Sequence, residues 1–180
     1  MLLIQKGVLT MDKLIKGKVY KFGDNIDTDQ IYPGRYLELT EPEDIKQHAL
    51  EGVDPTFVER FTPGGIIVAG SNFGCGSSRE HAAITLKSLG VNLIIAESIA
   101  RIFYRNCINL GLPLMICKNI HSSVDEEDEL QVDLKQGSVI NNSSGMELAG
   151  EPLSDYVMNI LESGGIKTLL KQKADEINNV

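Results

Sequence analysis

The segment AGSNFGCGSSREH, Ala69 to His81, brings two glycines, two adjacent serines, an arginine and a glutamate together between Gly74 and Glu80. Gly74 and Gly76 permit positive φ, so the loop Gly74-Cys75-Gly76 can bring its backbone N–H groups close to a ligand. A helix expected from about Arg79 to Leu89 points its unpaired N–H groups and partial positive charge at the same place. Arg79 adds a planar fork suited to a carboxylate or a phosphate. In outline this is an anion site with a hydroxyl beside it.

Three readings of the loop compete. Ser77-x-x-Glu80 is a capping box, which makes Ser77 a helix cap and leaves Arg79 and the paired glycines unused. A nucleotide-phosphate loop would need GxxxxGK[ST] or GxGxxG, and neither is present. The third reading makes a serine the reactive group beside an oxyanion-stabilising loop and a substrate-clamping arginine. Residue chemistry alone leaves the cap and the active site level.

The elements that would hold this loop are readable from patterning. Lys18 to Phe22 is expected as a strand, followed by a long loop from Gly23 to Thr40, of a length uncommon unless functional. Thr40-Glu41-Pro42-Glu43 reads as a capping box opening a helix through about Leu50, with a short helix at Asp54 to Arg60 and a turn at Thr62 to Gly65. Ile66 to Ala69, Val91 to Ala96 and Pro113 to Cys117 are short apolar runs expected as buried strands. Helices alternate with them, the second over Ser98 to Asn109, and Gly90 and Gly111 are C-caps. That alternation predicts βαβ units with parallel pairing. Glu129 to Leu134 alternates, Ser138 to Ala149 is hairpin-like, Leu153 to Leu161 marks an amphipathic helix stopped by Gly164-Gly165, and the tail beyond Leu170 is polar and expected to fray.

Bulk properties narrow the function classes. With 180 residues, 42% hydrophobic and 23% charged, the chain suits one domain with a single core. No apolar run approaches a membrane span, and the start has no cleavage-site pattern, so the expected location is cytoplasmic, with no membrane partner. Residues 1–11 are expected as an extension, 12–170 as the domain and 171–180 as the tail. A net charge of −8 speaks against nucleic acid and requires local arginines to receive any anionic substrate. The acidic run Asp125 to Glu129 lacks the spacing of a calcium loop and is expected as a solvated loop. Cys75, Cys107 and Cys117 match no zinc or iron–sulfur ligand set and are expected as reduced thiols.

GSNFGCGSSREHA closely resembles the mobile C-terminal domain of the aconitase superfamily, which in isopropylmalate isomerases is a separate small subunit. DNIDTDQIYPGRYL and AESIARIFYRNCINLGLP agree, and the resemblance spans nearly the whole chain after Met11. It implies a three-layer β/β/α swivelling domain with a mostly parallel sheet and added hairpin strands. It implies a hydro-lyase half that shifts a hydroxyl between adjacent carbons through an alkene, active only with a large subunit carrying a [4Fe-4S] cluster, in a heterodimer or heterotetramer. No metal or cofactor is expected on this chain itself, which alone could form homo-oligomers through an exposed docking face.

By the same resemblance Ser77 is the base, Arg79 grips a substrate carboxylate, Ser78 supports it, and Asp29 occupies an active-site aspartate position, where a turn role competes. Arg35 is a weaker match. His81 is expected to be structural, and Cys75 a small loop residue. Tyr36-Leu37-Glu38-Leu39-Thr40 resembles the specificity loop. Leu37 and Leu39 suit a branched alkyl group, Glu38 would repel a third carboxylate, and no arginine is present there. The expected substrate is 3-isopropylmalate in leucine biosynthesis. The alternatives are a homoaconitase- or dimethylmalate-dehydratase-type small subunit, or a non-catalytic anion-binding module.

Overall fold

Four short aliphatic runs build the parallel half of the sheet: β1 (Leu14–Lys21), β2 (Ile66–Ala69), β3 (Leu93–Ala96) and β4 (Leu114–Ile116). The computed structural model describes residues 14–178, so the expected extension at 1–11 lies outside the described residues. β1 pairs with β2, β2 with β3 and β3 with β4, all parallel. Every residue of β2 and β3 is buried, as strands covered on both faces must be.

On its other edge β1 pairs antiparallel with β5 (Glu129–Asp133), which continues into β6 (Ser138–Asn141) and β7 (Glu147–Ala149). Among the described residues this gives one seven-stranded sheet in the order β4-β3-β2-β1-β5-β6-β7. β1 joins the parallel half to the hairpin half, and it begins at Leu14 rather than Lys18 because its first residues pair only with β5.

Short helices α1 (Thr28–Ile31), α2 (Pro42–Ile45) and α3 (Phe57–Arg60) fill the β1–β2 connection. The longer α4 (His81–Leu89) and α5 (Arg101–Leu110) make the next two crossovers and end on Gly90 and Gly111, both left-handed, as their sequence positions require. After β4 come α6 (Ile120–Ser123), α7 (Asp155–Glu162), capped by Ser154, and α8 (Ile166–Asn178). No helix among the described residues is long and apolar enough to cross a membrane.

Two expectations change. The helix expected from Thr40 to Leu50 is broken: α2 starts at Pro42 behind Glu41, whose side chain caps nothing, and a 3-10 turn follows at Lys46–His48. Leu50 then takes φ +57°, because its N–H donates across the fold to Ile31 O at 2.8 Å instead of continuing a helix. The tail does not fray at Lys171; α8 carries it in helix to Asn178 with its side chains in solvent. The acidic run is an exposed loop, as expected, in which Glu126 pairs with Arg60 at 2.6 Å, Glu127 with Lys18 at 2.8 Å, and Asp128 accepts from Asn141 Nδ2 at 2.7 Å.

What positions the Gly-rich loop is pairing that outlasts the strands. Beyond the carboxyl ends of β1 and β2, Asn25 N–H donates to Ser71 O (2.8 Å), Gly74 N–H to Ile26 O (2.7 Å) and Thr28 N–H to Cys75 O (2.8 Å). On the other side Phe73 N–H donates to Ser98 O (3.0 Å) and Ala100 N–H to Phe73 O (2.9 Å). The loop is therefore held like a strand between its two neighbours, at the carboxyl end of the parallel strands, where open α/β sheets place their ligands. Phe73 is fully buried edge-on against Phe103, and Gly74, at φ +75°, leaves no room for a Cβ against that ring.

Candidate active site

The cap reading of Ser77 fails in the structure. The N-cap of α4 is Glu80, already in helical geometry, and no side chain caps it. Ser77 turns instead toward α1, 49 residues earlier: its N–H donates to Thr28 Oγ1 at 3.1 Å and its Oγ lies 3.2 Å from the same oxygen. Thr28 is 2% exposed, whereas Ser77 is open to solvent. Gly76, at φ +103°, makes the approach possible, since a Cβ there would already be 3.0 Å from Thr28 Oγ1.

The segment Asp27-Thr28-Asp29-Gln30 holds its own capping box. The Asp27 carboxylate accepts from the N–H groups of Asp29 and Gln30, both at 2.8 Å, while Gln30 Oε1 accepts from Asp27 N–H at 3.0 Å. This turn presents Asp29 outward, where Oδ1 accepts from Arg79 Nη1 and from Gly34 N–H at 2.8 Å. The Arg79 hydrogen bond, seconded by Gly34 N–H, holds the Asp29 carboxyl below the usual carboxylate range. Arg79 is the more enclosed partner, its side chain 27% exposed against 63% for Asp29. Gly34 is small for this reason: a Cβ there would stand 3.2 Å from Asp29 Oδ1 and 3.3 Å from Arg79 Nη2. Ser78 is exposed, and its carbonyl accepts from Asn106 Nδ2 of α5 at 3.4 Å.

The loop Tyr36–Thr40 is fixed from one side. The ring of Tyr36 stacks on His48 at 3.5 Å, and its hydroxyl donates to Glu51 Oε1 at 3.0 Å. Glu51 also takes His48 Nδ1 at 2.7 Å and pairs with Arg35, whose guanidinium lies 4.7 Å above the Tyr36 ring. Burial opposes ionisation of Glu51, but the hydrogen bonds from His48, Tyr36 and Arg35 outweigh it and lower its pKa. Arg35 is thus engaged with Glu51. Leu37 and Glu38 stand exposed, whereas Leu39 is drawn partly against the core, so Leu37 is the apolar side chain that the loop leaves open. The His81 ring lies nearly parallel to the Tyr32 ring at 5.6 Å, a packing role.

Among the described residues no group of three or more His, Cys, Asp or Glu is arranged to hold a metal. Cys107 and Cys117 are buried, and burial pushes both thiols up, Cys117 to about 11.

The structure brings Ser77, Asp29, Arg79 and the glycine loop together at the ends of β1 and β2. It adds Thr28, Gly34, Asn106, His48 and Glu51, which sequence reasoning had passed over. Thr28 lay within a segment already singled out, yet no local pattern marks a contact across 49 residues.

Comparison with known proteins identifies the family. The aconitase C-terminal domain model matches residues 58–119, the parallel half from α3 to just beyond β4. The isopropylmalate/citramalate isomerase small subunit of Methanocaldococcus jannaschii is 53% identical over 92% of this chain and 99% of its own length. The methanogen homoaconitase small subunit of Methanothermobacter thermautotrophicus is 49% identical over 87% of this chain and 90% of its own. A crystal structure of 3-isopropylmalate dehydratase from Methanocaldococcus jannaschii superposes with a TM-score of 0.88 at 38% identity, covering 92% of this chain and 98% of that one. With relatives this close along nine-tenths of its length, the chain belongs to the 3-isopropylmalate dehydratase small-subunit family, built on the aconitase C-terminal domain.

Proposed function

We propose that this chain is the small half of a cytoplasmic hydro-lyase that interconverts 2- and 3-isopropylmalate, with Ser77 as the base and Arg79 as the grip on a substrate carboxylate. The carrying observation is that Ser77 caps no helix but is held open at the mouth of the loop, beside a buried hydroxyl and the Arg79–Asp29 pair. Ser77 Oγ takes the proton α to a carboxylate, the electron pair of that C–H bond becomes the alkene, and the hydroxyl leaves the adjacent carbon. Readdition of hydroxide to the other carbon, with the proton returned from Ser77 Oγ to its neighbour, completes the isomerisation.

A serine hydroxyl is far too weak a base in water, so its alkoxide needs donors and exclusion of solvent. Asp29 orients Arg79 rather than meeting the substrate, since two carboxylates would repel. Ser78, whose backbone is held by Asn106, keeps the arginine at its place in the loop. The Lewis-acid share would fall to a [4Fe-4S] cluster on a large-subunit partner; among its described residues this chain presents no group of three or more His, Cys, Asp or Glu arranged to hold a metal. Mixed with that partner, the purified chain is expected to restore isopropylmalate isomerisation that neither half shows alone. Activity of the isolated chain would overturn this division of labour.

The alkyl group is assigned to Leu37, the open apolar residue of the specificity loop. Glu38, exposed beside it, disfavours a substrate with a third carboxylate. Glu38→Arg is expected to move the ratio of kcat/KM for homoaconitate over isopropylmalate up by about tenfold, or ~1.4 kcal/mol. A ratio unchanged in competition assays of the reconstituted complex would remove this loop from substrate choice.

A further inference from the structure

We infer that Thr28 is the positioning residue of the base: its buried hydroxyl donates a hydrogen bond to Ser77 Oγ and holds that oxygen as an alkoxide. The inference rests on the reading of Ser77 as the base and adds the group that makes such a base workable. A threonine hydroxyl has one proton and two lone pairs. One lone pair of Thr28 Oγ1 accepts Ser77 N–H at 3.1 Å. Ser77 Oγ, at 3.2 Å, is its other partner. In the resting serine either hydroxyl can donate across that gap. Once Ser77 has lost its proton only one direction survives, because an alkoxide has nothing to donate, so Thr28 becomes the donor.

The surroundings fit this role. Thr28 is 2% exposed, so its side of the bond is shielded from water, where a hydrogen bond to an anion is strengthened. Its backbone N–H is fixed to Cys75 O at 2.8 Å, and with the Ser77 N–H bond this grips the loop on both sides of Gly76. The donor is therefore in place before the charge develops, and the Asp27–Gln30 capping box fixes the turn that carries it. Thr28 keeps its own proton throughout; Ser77 first gives its proton to solvent, the ionisation that the pH profile reads, and its alkoxide then takes the proton from the substrate carbon.

The test uses the reconstituted two-subunit enzyme with Thr28→Val, which keeps the shape and removes the hydroxyl, Thr28→Ser, which keeps the hydroxyl, and Ser77→Ala. Thr28→Val is expected to lower kcat by about a hundredfold, in the range of other lost oxyanion donors. KM should stay within about threefold. Losing a donor to the alkoxide raises the pKa of the base, so the rising limb of the kcat–pH profile should move to higher pH by about one unit. Thr28→Ser should recover most of the rate and restore the limb. A Thr28→Val enzyme with ordinary kcat, beside an inactive Ser77→Ala, overturns the role of Thr28 and leaves the base assignment standing. An active Ser77→Ala overturns the base assignment itself. A Thr28→Val enzyme that loses melting temperature and raises KM, with an unmoved pH limb and no rescue by serine, shows a loop clamp only and also overturns the inference.

Discussion

Ser77→Ala is expected to lower turnover of the assembled enzyme by about a thousandfold or more, the range for removing a general base, with KM nearly unchanged. The same substitution should lower the melting temperature of the chain only slightly, far less than a thousandfold loss of turnover would suggest. Loss of a helix-capping serine would destabilise by about 1 kcal/mol. Here α4 begins at His81 behind Glu80, and Ser77 Oγ satisfies no helix N–H. The residue is exposed, and its backbone bond to Thr28 does not depend on its side chain. What the side chain gives up is its hydrogen bond with the buried Thr28 hydroxyl, worth about 1 kcal/mol. Activity and stability are thereby separated in one variant. A large fall in melting temperature with turnover retained would restore the cap reading and end the catalytic one.

That separation also shows where sequence reasoning reached its limit. The strands β2, β3 and β4 and the glycine stops after α4 and α5 were legible because each follows from a local rule: a short β-branched run, or a left-handed C-cap. The Gly-rich loop was legible as a turn for the same reason, with Gly74 and Gly76 both at positive φ. Its alternative, the Ser77-x-x-Glu80 box, obeyed an equally good local rule and did not form, because Ser77 is claimed by Thr28 from the preceding connection. The broken helix after Pro42 has the same cause: Leu50 N–H is taken by Ile31, and the chain turns left-handed there. By contrast, the Asp27–Gln30 box was local and readable, an Asp followed three residues later by Gln, but no apolar run follows it to suggest a helix. The placement of Arg79 against Asp29, and the hold of Glu51 on Tyr36 and Arg35, join residues that no periodicity relates. They become visible only when the loops beyond β1 and β2 lie side by side.

Arg79→Lys is expected to raise KM by about 10- to 100-fold, ~1.4–2.8 kcal/mol, with a smaller fall in kcat. The guanidinium has five N–H donors in a rigid plane, and Nη1 is committed to Asp29. The rest of the fork stays available for a carboxylate, and Asp29 sets the plane in which it is offered. An ammonium in its place would keep the attraction to Asp29 but would be a point charge, unable to hold the partner and grip two carboxylate oxygens in a fixed geometry. The pairing itself is indifferent to pH over the working range. Because the folded-state pKa of Asp29 is depressed, whatever the pair adds to stability is fully present above the unfolded value, about 3.9, and is lost only as pH falls through the folded value. Asp29 is well exposed, so that contribution to folding is small, and the pair matters for aim. The loss of affinity in Arg79→Lys should accordingly be the same at pH 6 and pH 9. If kcat fell with KM unchanged, Arg79 would be stabilising the transition state alone and would not be the grip on the bound substrate.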